Sequence, residues 1–115
     1  MKAISFKPEF IPMIKDRTKT VTRRIDTKIK TGDEVYFKGG RTGKKEGYLK
    51  ILDVESQPLK GITKYYNMYE LVREGFDITG LSEFVTAWNK INRNKKGYRW
   101  EDNPEVYRIE FRLLK

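Results

Sequence analysis

The chain has no cysteine and no histidine among its 115 residues. Without cysteine there is no disulfide and no thiolate nucleophile. Without histidine there is no Ser-His-Asp triad, and zinc sites of the Cys/His kind are excluded. No metal and no cofactor is expected. Any catalytic acid, base or nucleophile must come from lysine, aspartate, glutamate, serine, threonine or tyrosine. Long apolar runs are missing too, since none approaches the ~20 residues that cross a bilayer. The opening MKAISFKPEF lacks the apolar core and small-residue cleavage site of a secretory signal. The expectation is therefore a cytoplasmic protein without a membrane partner. Apolar residues are sparse at 37%, but 13% of the chain is aromatic, and a few large rings can supply much of a core. The length suits one domain, residues 1–115, with a monomer favoured.

What is abundant is positive charge. The net charge is +9 and the isoelectric point is near 9.7. A surplus of this size suggests a polyanionic partner, most often nucleic acid, although surplus lysine also serves solubility. Its distribution favours an anionic ligand. Residues 1–60 carry 15 basic and 8 acidic side chains, whereas residues 61–115 carry 10 and 8. Between Lys15 and Lys30 there are seven basic residues and two acidic ones.

Periodicity predicts a small α+β domain with a barrel-like sheet. Ile4 to Phe6 reads as a first strand. A helical pattern follows from Pro8 through Phe10, Ile11, Met13 and Ile14. Pro12 requires either a distorted first turn or a helix that starts late with Pro12 inside that turn. Lys19 to Arg24 and Glu34 to Lys38 are the next strands, with Gly39 to Gly47 a basic hairpin loop. Tyr48 to Glu55 alternates, with Tyr48, Lys50, Leu52 and Val54 on one side, and it could continue, bent, past Pro58. One helix is marked by Tyr65, Met68, Tyr69 and Val72, ending at Gly75. A second is marked by Leu81, Phe84, Val85, Trp88 and Ile91, capped by Thr79 or Ser82. The basic loop Arg93 to Arg99 leads to a last strand with Tyr107, Ile109, Phe111 and Leu113 on one face.

The loop GGRTGKK is not a phosphate-binding P-loop. Only three residues separate Gly39 from Gly43, and Lys45 stands where Ser or Thr is needed. Lys44 and Lys45 could still touch phosphates. The segment TKTVTRRI is more informative. In a regular strand Thr20, Thr22 and Arg24 share one face, and Lys19, Val21 and Arg23 the other. An arginine beside threonine hydroxyls is a good receptor for phosphate or carboxylate. An edge strand kept soluble by its charges is the competing explanation.

The segment FKPEFIPMIKDRTKTVTRRI resembles the opening of ASCH domains, particularly the short phage and prophage type. These begin with a strand, a Pro-Glu helix and a G-x-K-T-x-T-R-R segment. TGDEVYF, REGF at Arg73 to Phe76, EFVTAWNKIN, Trp100, Asn103-Pro104 and VYRIEF continue the match in order along nearly the whole chain. The resemblance implies a PUA-like fold, a small β-barrel with flanking helices, and a cleft for RNA, a nucleotide or a nucleoside. Some small bacterial members are amidohydrolases that deacetylate acetylated cytidine nucleosides, and another branch is reported as a ribonuclease. Matched by motif, the catalytic lysine falls on Lys19, the threonine on Thr22 and the glutamate on Glu74. In that scheme Thr22 is the nucleophile, Lys19 its base and Glu74 the acid that protonates the leaving amine. Thr20, Arg23 and Arg24 would line the cleft. Lys44, Lys45, Arg93, Lys95, Lys96 and Arg99 would extend it along a nucleic-acid backbone, and Tyr98 or Trp100 would stack on a base or plug the core. An adaptor with a basic protein-binding surface is a third class. Lys19 and Thr22 have opposite parity in a regular strand, so they converge only if Lys19 precedes the strand or the strand bulges. Arg17 stands where the family has glycine.

Overall fold

The computed structural model describes residues 1–63 and 69–115. Five strands form one mixed sheet: β1 (Ala3–Phe6), β2 (Val21–Arg24), β3 (Glu34–Gly39), β4 (Lys45–Pro58) and β5 (Glu105–Leu113), in the order β1-β3-β4-β5-β2. Among the described residues β1 and β3 run parallel and the other neighbours are antiparallel. Three α-helices among the described residues, α1 (Ile11–Lys15), α2 (Tyr69–Arg73) and α3 (Leu81–Ile91), accompany the sheet. The α+β class therefore holds, but the sheet does not close into a barrel. Its edge strands β1 and β2 have four residues each, and no ladder joins them among the described residues. A side chain spans the gap instead: Arg24 of β2 donates to the Ser5 carbonyl of β1 at 2.7 Å.

The first helix begins late, after a 3-10 turn at Pro8–Phe10, with Pro12 in its opening turn where no N–H is needed. It ends at Arg17, whose φ of 70° is left-handed. The N–H groups of Thr18 and Lys19 then fold back to the Met13 carbonyl at 2.9 and 3.0 Å. Lys19 is thus held by the helix end, before β2 starts, so strand parity does not fix which way its side chain points.

One core cluster lies between β1, α1, β3, β4 and β5, around Phe6, Ile14, Phe37, Leu49, Ile51 and Phe111. A second gathers Leu59, Ile62, Leu71, Phe84, Trp88 and Val106. Several sequence expectations change here. In β4 the buried residues are Leu49 and Ile51, while Leu52 is 43% exposed. The register shifts between Ile51 and Asp53, so the inward parity changes and Val54 rejoins the core. In β5 the Tyr107 end of the expected inner face is exposed, and Val106 is buried in the second cluster. The strand is covered on both faces, so alternation did not identify a single inner side. In α2 the buried residues are Glu70 and Leu71, while Tyr69 is exposed. Tyr65 and Met68 lie outside the described residues. For α3, Phe84 and Trp88 are buried and Ile91 is exposed. Its cap is Gly80, with no side-chain hydrogen bond, rather than Thr79 or Ser82.

Among the described residues no helix is long and apolar enough to cross a membrane. Nor do three acidic side chains converge there as a metal site would require.

Candidate functional site

Between the β1–β2 gap and α3 lies a cleft of about 780 Å³. Its walls are apolar: Phe6, Phe10, Phe76, Phe84 and Trp88 line it. Its polar lining includes Lys19, Thr22, Arg23, Arg24 and Glu74, five of the residues singled out from sequence. A mostly apolar pocket with a few convergent polar groups is the usual form of a small-ligand site.

Lys19 is 3% exposed. Its ammonium donates to the Val21 carbonyl at 2.8 Å and the Glu74 carbonyl at 2.5 Å. It also lies 3.6 Å from the Glu74 carboxylate and 4.8 Å from the centre of the Phe10 ring. Burial lowers its pKa from 10.5 to about 8; Glu74 opposes the shift, and the Arg24 and Arg23 charges add to it.

Two devices bring Glu74 to Lys19. The first is the αL turn after α1. The second is Gly75, whose φ is 98° and which has no room for a side chain. A Cβ there would sit 2.8 Å from two carbons of the Phe10 ring. Glycine thus lets the end of α2 press against the α1 segment.

Thr22 is 6% exposed, and its hydroxyl oxygen accepts from Arg24 Nε at 3.3 Å. The Arg24 guanidinium carbon stands 5.1 Å from the centre of the Phe6 ring. Thr20 precedes β2, and its hydroxyl accepts from Arg73 Nε at 3.0 Å, so it does not line this cleft. The strand begins at Val21, two residues later than expected, and Thr20 turns its hydroxyl to Arg73 instead of joining Thr22 and Arg24 at the cleft.

Behind the cleft floor is an ion-pair network that sequence reading did not anticipate. Arg23 donates to Glu74 at 2.8 Å, to Glu70 at 2.7 Å and to Gln57 at 2.9 Å. Its Nε is buried with no hydrogen-bond partner among the described residues. Arg108 grips Glu70 with two bonds, of 3.0 and 2.9 Å. Arg73 bridges Glu70 at 3.5 Å and Glu110 at 2.8 Å. Arg23 and Arg108 are directly opposed on neighbouring strands, a costly pairing that the shared Glu70 carboxylate offsets. Burial pushes the Glu70 carboxyl up, but hydrogen bonds from Arg108 and Arg23 outweigh it and bring the pKa down to about 2. The one signal in the sequence was spacing, since Glu70 and Glu74 lie four residues apart on one helical face.

The remaining basic residues singled out from sequence do not enter the cleft. Lys44, Arg93, Lys95, Lys96 and Arg99 are exposed and absent from its lining. Lys45 sits over the rings of Tyr36 and Tyr48. Gly40 and Asn92 line the cleft, and in the chain the two basic loops continue from them. Trp100 is partly buried against the second core, where its ring meets Phe84 edge to face. Tyr98 accepts the Trp88 indole N–H on its carbonyl.

No family model and no curated protein matches the chain. Solved structures do. An ASCH domain from Lactobacillus crispatus aligns at a TM-score of 0.72 and 11% identity, over 97% of this chain and 79% of that one. ZmASCH from Zymomonas mobilis, solved as a point mutant, gives 0.61 at 18% identity, over 96% and 67%. A Pyrococcus furiosus protein solved by NMR also gives 0.61 at 18% identity, over 99% and 97%. At these identities the likeness speaks for the fold, and the chain has the fold of the ASCH domains.

Proposed function

We propose that the cleft takes a nucleoside-sized planar ligand and hydrolyses an N-acyl amide on its base, an acetylated cytidine being the substrate class that the sequence resemblance implies. The observation that carries this reading is Lys19. It is buried against an aromatic wall beside Glu74 and has a pKa of about 8. At that value about a tenth of the lysine is neutral at pH 7, enough to serve as a base.

In the proposed reaction the Thr22 hydroxyl attacks the acyl carbonyl, and its proton passes to neutral Lys19. Arg24 Nε, already donating to the Thr22 oxygen, favours the developing alkoxide. The resulting Lys19 ammonium protonates the leaving amine, and water then cleaves the acyl-threonine ester to regenerate the hydroxyl. Glu74 accepts from Arg23 and faces Lys19, so it is assigned the orientation of the lysine rather than proton donation. The test is turnover of acetylated cytidine nucleosides by the wild type, Lys19→Ala and Thr22→Ala. Turnover abolished in both folded variants supports the scheme. Unchanged turnover in Thr22→Ala removes it as nucleophile, and an inactive wild type removes the reading.

A second reading, RNA as the natural ligand, is supported by the exposed loop carrying Arg93, Lys95, Lys96 and Arg99 beyond the cleft rim. It requires affinity that falls steeply with salt and weakens when these four residues are neutralised.

A further inference from the structure

On the outer face of the sheet, the ladder sets two tyrosines side by side between two rows of cations. Tyr36 of β3 is directly opposite Tyr48 of β4. Both point away from the core, since their neighbours Val35, Phe37 and Leu49 are fully buried. Two residues along β3, Lys38 is opposite Lys45 of β4. Two residues the other way along β4, Lys50 is opposite Arg112 of β5. Lys45 reaches over both rings, at 4.7 Å from the centre of Tyr36 and 5.3 Å from that of Tyr48.

Like charges directly opposed across a ladder disfavour the sheet. Inside the protein the comparable pair, Arg23 and Arg108, is bridged by Glu70. Outside, neither pair has such a bridge among the described residues. Lys38 and Lys50 donate to the neutral carbonyls of Arg41 and Gly32, and Glu34 of β3, directly opposite Lys50, pairs with it at 3.9 Å. The fold therefore flanks the aromatic pair with one cation pair, Lys38 and Lys45, that has no ion-pair partner among the described residues, and a second, Lys50 and Arg112, in which Glu34 of β3 stands opposite Lys50 alone. Solubility alone does not require this placement, because single lysines on the same face would serve.

We propose that this face is a binding platform for single-stranded nucleic acid, with bases replacing the Lys45 ammonium over Tyr36 and Tyr48 and phosphates meeting the lysine and arginine rows. Every base has a π-face, so stacking of this kind tolerates any sequence, and the cations follow the backbone. The rows are about 7 Å from the tyrosines along the strands, within reach of the phosphates on either side of a stacked base. Gly40, two residues beyond Lys38 in the chain, lines the cleft. The platform shares its ligand class with the RNA reading above, but needs neither the hydrolytic scheme nor the Arg93 to Arg99 loop.

The test is fluorescence anisotropy with labelled oligo(U), alongside heparin as a polyanion without bases. The variants are Tyr36→Ala/Tyr48→Ala, Tyr36→Phe/Tyr48→Phe and Arg93→Ala/Lys95→Ala/Lys96→Ala. All the substituted side chains lie outside the core, and circular dichroism checks that each variant is folded. The expected result is a roughly tenfold or greater loss of oligo(U) affinity in the double alanine variant. The phenylalanine variant should retain affinity, and heparin binding should change little. Equal losses for heparin and oligo(U) would overturn the proposal in favour of simple charge attraction. So would full oligo(U) affinity in the double alanine variant, whether or not the loop variant loses it. Turnover of acetylated cytidine is unaffected by the tyrosine variants in either case, so failure of the platform is distinguishable from failure of the cleft reading.

Discussion

The ammonium of Lys19 rests on the main-chain carbonyl of Glu74 at 2.5 Å and lies 3.6 Å from its carboxylate. Residues 55 positions apart in the chain meet because one helix ends in a left-handed turn at Arg17 and another in a left-handed turn at Gly75. Each consequence of that meeting can be measured.

If Lys19 is the base, kcat/KM for amide hydrolysis rises with pH and levels off above about 8, the value to which burial lowers the lysine. A profile flat between pH 6.5 and 9 would show that a proton on Lys19 does not matter.

Lys19 also makes stability depend on pH, with a sign opposite to that of a favourably paired lysine. Its folded pKa, about 8, lies below the ordinary 10.5. Below pH 8 both states carry the proton, and the full cost of burying the charge is present. Between 8 and 10.5 the folded state releases the proton first, so the cost declines as pH rises. Denaturant titrations of the wild type and Lys19→Met should show the wild type gaining on the variant through that window, by on the order of 3 kcal/mol at most.

Glu70 predicts the acid limb. Its pKa of about 2 lies below the ordinary 4.5, so its contribution is full above pH 4.5 and is lost as pH falls toward 2. Glu70→Gln should flatten that limb. At pH 7 it should cost about 3–5 kcal/mol, because three guanidiniums lose their shared carboxylate. A loss under about 1 kcal/mol would mean that the arginines find other acceptors.

The two left-handed turns respond in opposite directions. Gly75→Ala places a methyl against the Phe10 ring at a φ of 98°, and should lower Tm and turnover together. Arg17 already occupies a left-handed position, at a φ of 70°. Arg17→Gly should therefore raise stability by about 0.5–1 kcal/mol, even though the exposed Arg17 bond to the Leu113 carbonyl is lost. A lower Tm for Arg17→Gly would show that this bond outweighs the backbone strain.

The sequence by itself determined the element order and the α+β class, and it narrowed the start of α1 to two alternatives, because these depend on local quantities: apolar spacing, the fixed φ of proline and turn residues. It also marked Lys19, Thr22, Arg23, Arg24 and Glu74, which meet at one cleft. Tertiary structure decided the rest. Which side of β4 and β5 faces inward depended on a bulge at Leu52 and on two cores covering opposite faces of one strand. The glutamate shared by three arginines depended on β2 pairing with β5, which sets Arg23 against Arg108, and no local signal encodes that register. The same holds for the Tyr36–Tyr48 pair. Each tyrosine alone is an ordinary strand residue, and only the ladder joins them between opposed cations. Charge was legible as an amount and a rough location, but its compensation was not, because an ion pair depends on distances that the fold alone sets.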